Sequence, residues 1–127
     1  MKLSRWTTLI IVVLLLAVTV AAGACSSAKA NQPPTITRLV AVPTSLAPGV
    51  GATVSCVAAD PDGDTLSYAW EYSGGTLQGI GSTVTWIAPS AANTYTVKVT
   101  VSDGKGGVAN GSVAIVVAAP AEGIDRY

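Results

Sequence analysis

The chain has 127 residues, seven basic and seven acidic side chains, no histidine and no phenylalanine. That length holds one domain with appendages, and without imidazole the commonest general base and the commonest metal ligand are missing. Without its first 24 residues the chain keeps five basic and seven acidic side chains. No basic patch then survives to neutralise phosphates, so nucleic acid is not an expected partner.

The N-terminus reads as an address. Lys2 and Arg5 precede an apolar run from Leu9 to Ala22 that only Thr19 interrupts, and small residues close it. A charged start, a short hydrophobic stretch and a small-residue end describe an export signal over residues 1–24. "AAGACSS" follows and resembles the bacterial lipobox, in which small residues precede a cysteine that is lipidated and becomes the new N-terminus; here that residue is Cys25. The lipobox usually has Leu three positions earlier, where this chain has Ala22. Ala22 and Ala24 also satisfy the A-x-A pattern that would release a secreted protein, and an uncleaved anchor is a third reading of a run near the lower limit for spanning. All three place the residues after Cys25 outside the cytoplasm. Each buried methylene of an acyl chain contributes about 0.8 kcal/mol and one chain holds only marginally. The two or three chains that the resemblance implies would make the membrane a permanent partner. Residues 25–34, ending in "NQPP", read as a polar tether stiffened by Pro33 and Pro34.

From Thr35 onward the apolar pattern has period two, the signature of strands. "ITRLVAV" comes first. "GATVSCVAAD" then puts Ala52, Val54, Cys56 and Ala58 on one face, and "LSYAWEY" does the same with Leu66, Tyr68, Trp70 and Tyr72. A weaker strand lies around "TLQGI". "STVTWIAP" aligns Val84 with Trp86, "TYTVKVTVSDG" turns Tyr95, Val97, Val99 and Val101 inward, and "GSVAIVV" contributes Val113, Ile115 and Val117. Between these runs stand "APGVG", "DPDGD", "SGG", "APSAAN" and "SDGKGG", all turn chemistry. About seven short strands and no helical stretch predict an all-β sandwich over residues 35–118, followed by a C-terminal tail, 119–127.

Several residues give that sandwich an immunoglobulin-like character. Cys56 sits where such domains carry the cysteine of the second strand, Trp70 follows as the core tryptophan, and Tyr95 stands two residues before Val97 in the tyrosine-corner arrangement. Val97 takes the place of the second cysteine, so the inter-sheet disulfide is missing and Cys56 reads as a buried small hydrophobe. With "NQPP", "DPDGDTLSYAW", "VTWIAP" and "YTVKVTVSDGKGG", residues 33–118 resemble the bacterial PKD and related Ig-like domains of cell-surface proteins. One departure is "WEYSGG" after the tryptophan, where the PKD signature has an acidic residue, an aromatic and "GDG". The resemblance implies an adhesion module, a binding accessory or a spacer at the cell surface.

Three aspartates crowd "DPDGD". In the expected topology Asp60, Asp62 and Asp64 share one end of the sandwich with Asp103 of "SDGKGG" and with the approaching Asn31. Hard carboxylate oxygens in that number suit Ca²⁺. The same residues are also plain turn formers, Asp capping loop amides, Pro61 fixing φ and Gly63 permitting positive φ. No catalytic constellation stands out: no base is placed to activate any of the many hydroxyls, and an Asp-only hydrolase would need a concave pocket beside the cluster. The expectation is therefore a non-enzymatic, membrane-anchored lipoprotein of the cell envelope, with one Ig-like domain serving adhesion or contact with a surface macromolecule. The alternatives are a carbohydrate-binding accessory domain, for which Tyr72 is the exposed aromatic candidate, and a passive structural spacer.

Overall fold

The computed structural model describes residues 29–119. The export segment, Cys25 and the tail beyond residue 119 lie outside the described residues. The chain divides into two units at Ala30/Asn31, and the sandwich lies in the second.

β-branched side chains alternating with Ser, Thr and Lys suit a pleated surface with one buried face. Eight strands form: β1 (Thr35–Val42), β2 (Ser45–Leu46), β3 (Gly51–Ala59), β4 (Ser67–Tyr72), β5 (Thr76–Gln78), β6 (Thr83–Ile87), β7 (Asn93–Ser102) and β8 (Val108–Val117). They build two four-stranded sheets, ordered β1-β3-β6-β5 and β2-β8-β7-β4. All pairings are antiparallel except β2 with β8. The weak strand expected around "TLQGI" is β5. The two-residue β2 was not expected: after the cis Val42–Pro43 peptide the chain leaves the first sheet and lays Ser45 and Leu46 beside Val116 and Val117 of the second. Two residues are too few for any periodicity to show.

The predicted inward faces meet between the sheets. Val54, Trp86, Val97, Val101 and Ile115 are fully buried. Trp86 anchors one end: its Nε1 donates to Gly74 O at 2.8 Å, and its ring lies 5.7 Å from that of Tyr95, tilted by 45°. The Tyr95 hydroxyl donates to Ala91 O at 2.9 Å, closing the tyrosine corner.

Two expectations about the core are refined. Trp70 does face inward and packs against both core clusters, but it is only half buried, and Trp86 is the fully enclosed tryptophan. β4 is an edge strand with no neighbour on its far side, whereas β6 lies between β3 and β5. Trp70 instead reaches across, its Nε1 donating to Gly81 O at 2.8 Å. Cys56, 2% exposed and unpaired, clusters with Val99 and Val101, while Val97 belongs with Val54 and Trp86 at the other end. Burial pushes the Cys56 thiol above its ordinary pKa, which suits the inert hydrophobe expected of it.

Candidate functional site

The β3–β4 loop carries "DPDGD", and the β7–β8 loop carries "SDGKGG". Both emerge at the end of the sandwich where the chain arrives through Asn31 and Gln32, as the topology predicted. Each loop is first organised by its own aspartate. Asp60 Oδ1 accepts the backbone N–H groups of Asp62 and Asp64, at 2.8 and 3.2 Å, while Gly63 N–H closes on Asp60 O at 3.1 Å. Gly63 has φ +77, a conformation that glycine takes without steric cost. Asp103 Oδ1 accepts Lys105 N–H at 2.7 Å and Gly107 N–H at 2.9 Å. This is the turn chemistry read from the sequence.

The same aspartates also tie the loops to each other and to the arriving chain. Asn31 Nδ2 donates to Asp103 Oδ2 at 2.7 Å, and Gln32 N–H donates to Asp62 Oδ2, also at 2.7 Å. Lys105 Nζ bridges to Asp64 Oδ1 at 2.6 Å. Three segments far apart in sequence are thereby clasped at one pole. Gly107 belongs to the fit: a Cβ there would overlap Asp103 Oδ2 and come within 2.8 Å of Pro33 Cα.

The electrostatics follow from these contacts. Asp103 is 4% exposed; the Asn31 amide foremost, and then Lys105 N–H, hold its carboxyl below the usual carboxylate range. The hydrogen bond from Lys105 to Asp64, with the charge of that carboxylate, holds the ammonium above its ordinary value. Of the four aspartates named from the sequence, Asp60, Asp64 and Asp103 come together, each offering an oxygen within 4.8 Å of the others. Asp62 is not in that triad and serves Gln32 instead. Asp60 Oδ2 and Asp64 Oδ2 are covered from solvent without a hydrogen-bond partner, a costly state for a carboxylate oxygen. Hard, anionic, oxygen-only donors in a triad are the ligand type Ca²⁺ takes, so the residues fit such an ion. Sequence reasoning missed Lys105; its signal was a cation in a loop predicted to face the aspartates.

Tyr72, the other predicted site residue, is 45% exposed at the end of β4. It pairs with Val97 in register and so belongs to the inward row, but no strand covers it on the edge side.

A family model described as "Bacterial Ig domain" matches residues 31–116. The chain belongs to the bacterial Ig domain family. The match opens at Asn31 and runs to Val116, so it takes in the clasp as well as both sheets. Bacterial Ig domains are usually extracellular or surface-exposed, which makes this chain a surface-associated module. No curated protein matches it. Among solved structures, the Ig domain resembles part of a nucleoside hydrolase-related hypothetical protein from Saccharophagus degradans described as associated with carbohydrate metabolism. The TM-score is 0.51 at 20% identity, covering 72% of this chain and 26% of that one. At that identity the likeness shows the fold alone, and this chain spans about a quarter of the larger protein.

Proposed function

We propose that the protein is an extracytoplasmic lipoprotein, anchored to the bacterial membrane through acyl chains on Cys25, whose Ig domain is a non-enzymatic adhesion or protein-interaction module. The observation that carries this reading is the clasp. The chain arrives from the anchor side through Asn31 and Gln32, which are hydrogen-bonded into both loops of one pole. On this reading the clasp marks the attachment end, and the exposed described residues of the domain are available to a partner. Val57, Tyr72 and Val116 are exposed there. The buried Cys56 thiol, pushed up in pKa by its surroundings, is not available as a nucleophile. The test places a photo-crosslinking residue at position 57, 72 or 116 of the full chain in living cells. A discrete adduct of higher mass from at least one position is expected. Absence of any adduct from all three, with the chain in the membrane fraction, would favour a passive spacer.

A second reading concerns the clasp itself. The covered oxygens of Asp60 and Asp64 beside Asp103 support Ca²⁺ binding between the two loops. Extracellular modules hold Ca²⁺ with Kd of about 10⁻⁴ to 10⁻³ M. With about 1 mM ion and a Kd near 0.1 mM the fold would gain roughly 1.4 kcal/mol, worth several degrees of melting temperature in a domain this size. Thermal unfolding with Ca²⁺ against chelator is expected to show that rise, and Asp60→Asn is expected to abolish it. An unchanged melting temperature would leave the aspartates as turn formers only.

A further inference from the structure

The edges of the two sheets are not alike. β1 is interrupted by a bulge between Ile36 and Arg38 and flanked by Pro34 and Pro43, while β2 has two residues and β5 three. Bulges, prolines and shortness are the devices that keep a sheet edge from pairing with another chain. β4 has none of them. Ser67–Tyr72 is regular throughout, free of proline, and paired with β7 on one side only.

The β4–β7 register fixes which backbone groups are free. Ser73 N–H donates to Thr96 O at 3.0 Å, so in the alternation of an antiparallel ladder Ser67, Ala69 and Glu71 direct their N–H and C=O to β7. Tyr68, Trp70 and Tyr72 turn theirs to the open side, where no described residue bonds them. The same three carry the inward row of aromatic rings, Tyr68 and Trp70 half buried and Tyr72 exposed. Trp70 Nε1 donates to Gly81 O, and beside Gly81 stands Ile80, 93% exposed between two glycines of positive φ. An unpaired edge thus runs beside apolar surface that the domain itself leaves uncovered.

The residue order selects the occupant. Tyr68-Ala69-Trp70-Glu71-Tyr72 presents Tyr, Trp, Tyr at its edge positions when read in either direction. Two such strands laid antiparallel about a twofold axis at Trp70 set Trp70 opposite Trp70 and Tyr68 opposite Tyr72. Every edge N–H then meets a C=O, and each ring meets a ring, the favoured cross-strand pairing. A twofold interface requires this self-complementarity, residue i meeting j while j meets i; a foreign strand does not. An axis at Glu71 would oppose two carboxylates, and one at Ala69 would set Tyr72 against Leu66, outside the strand. We infer that the protein pairs with a second copy of itself by antiparallel β4–β4 addition centred on Trp70, joining two four-stranded sheets into one. The inference rests on the interaction-module reading and names the partner.

The test co-expresses two tagged copies of the full chain in living cells, one carrying Ala69→Cys and the other Glu71→Cys, both at exposed positions. Pairing centred on Trp70 sets 69 opposite 71 at about 4.5 Å between Cα atoms, within disulfide reach. Positions 69 and 69, or 71 and 71, fall on the diagonal at about 7–8 Å, beyond that reach. Mild oxidation of the membrane fraction is expected to link the 69/71 combination into a dimer. Either variant alone, Ser112→Cys, and the native chain are expected to stay unlinked. Ala69→Glu, which opposes Glu71 of the second copy with a like charge, is expected to weaken the dimer of the purified full chain in detergent micelles. Sedimentation should show a loss of about fivefold, and a gain of about the same factor for Ala69→Lys, the effect of two cross-strand charge pairs. The inference would be overturned by no linked dimer from 69/71, by preferential 69/69 links, by links only to a protein of another mass, or by equal responses to Glu and Lys. Each of these would leave the interaction-module reading standing, since photo-crosslinking from positions 57 and 116 decides that separately.

Discussion

Replacing Tyr95 by Phe removes one hydroxyl and keeps the ring against Trp86, so the change isolates the hydrogen bond to Ala91 O. A neutral hydrogen bond contributes about 1 kcal/mol, and Tyr95→Phe is expected to lower the melting temperature by about 4–8 °C. A calorimetric shift near zero would mean that the corner is held by packing alone. Asp103 makes a prediction about pH. Its carboxyl is held below its ordinary range, chiefly by Asn31. A group depressed in this way stabilises the fold above its unfolded pKa, and that stability is lost as pH falls through the folded value. Asp103→Asn keeps acceptors for the loop amides but cannot titrate. Denaturant midpoints followed from pH 7 down to about pH 2, below the carboxylate range, are therefore expected to fall less steeply in the variant. An acid limb of equal steepness would place the titrating groups elsewhere.

β7 and β8 form the longest ladder, ten register pairs from Asn93↔Val117 to Ser102↔Val108, with β7 also paired to β4. β2 and β5 have two and three residues and lie at sheet edges. Local stability follows buried contacts and paired neighbours, so hydrogen exchange is expected to be slowest at Val97, Val99 and Val101 and fastest in β2 and β5. Equal protection across all eight strands would contradict this order. The same contrast marks where the sequence was legible. Val97, Val99 and Val101 alternate with polar residues over a long strand, and period two fixes their face whatever lies beside them. The pattern cannot say whether a strand is central or at an edge, so Trp70 and Trp86 looked alike although one is half buried and the other enclosed. Tyr72 shares its row with Trp70 but protrudes because it ends an edge strand. At the acidic pole, the expected topology placed the loops together, but only geometry separates Asp62, bound to Gln32, from the Asp60–Asp64–Asp103 triad. Only geometry, too, brings Lys105 onto Asp64.

As a whole, the molecule gathers Asp60, Asp62, Asp64, Asp103 and Lys105 at the pole through which the chain arrives, and leaves its flanks largely to Thr, Ser and Val. That division suits the proposed surface module, held at one end and read from its sides. Its central claim, that the Ig domain is displayed outside the cytoplasm from a lipid on Cys25, is tested most directly by labelling with a membrane-impermeant maleimide. The reagent would be applied to intact protoplasts or spheroplasts expressing the native chain or a Ser112→Cys variant. Ser112 is exposed and Cys56 is buried, and acylation would block Cys25. The account predicts that the variant is labelled and sediments with membranes while the native chain stays unlabelled. Labelling of the variant only after lysis, with the chain in the soluble fraction, would contradict it.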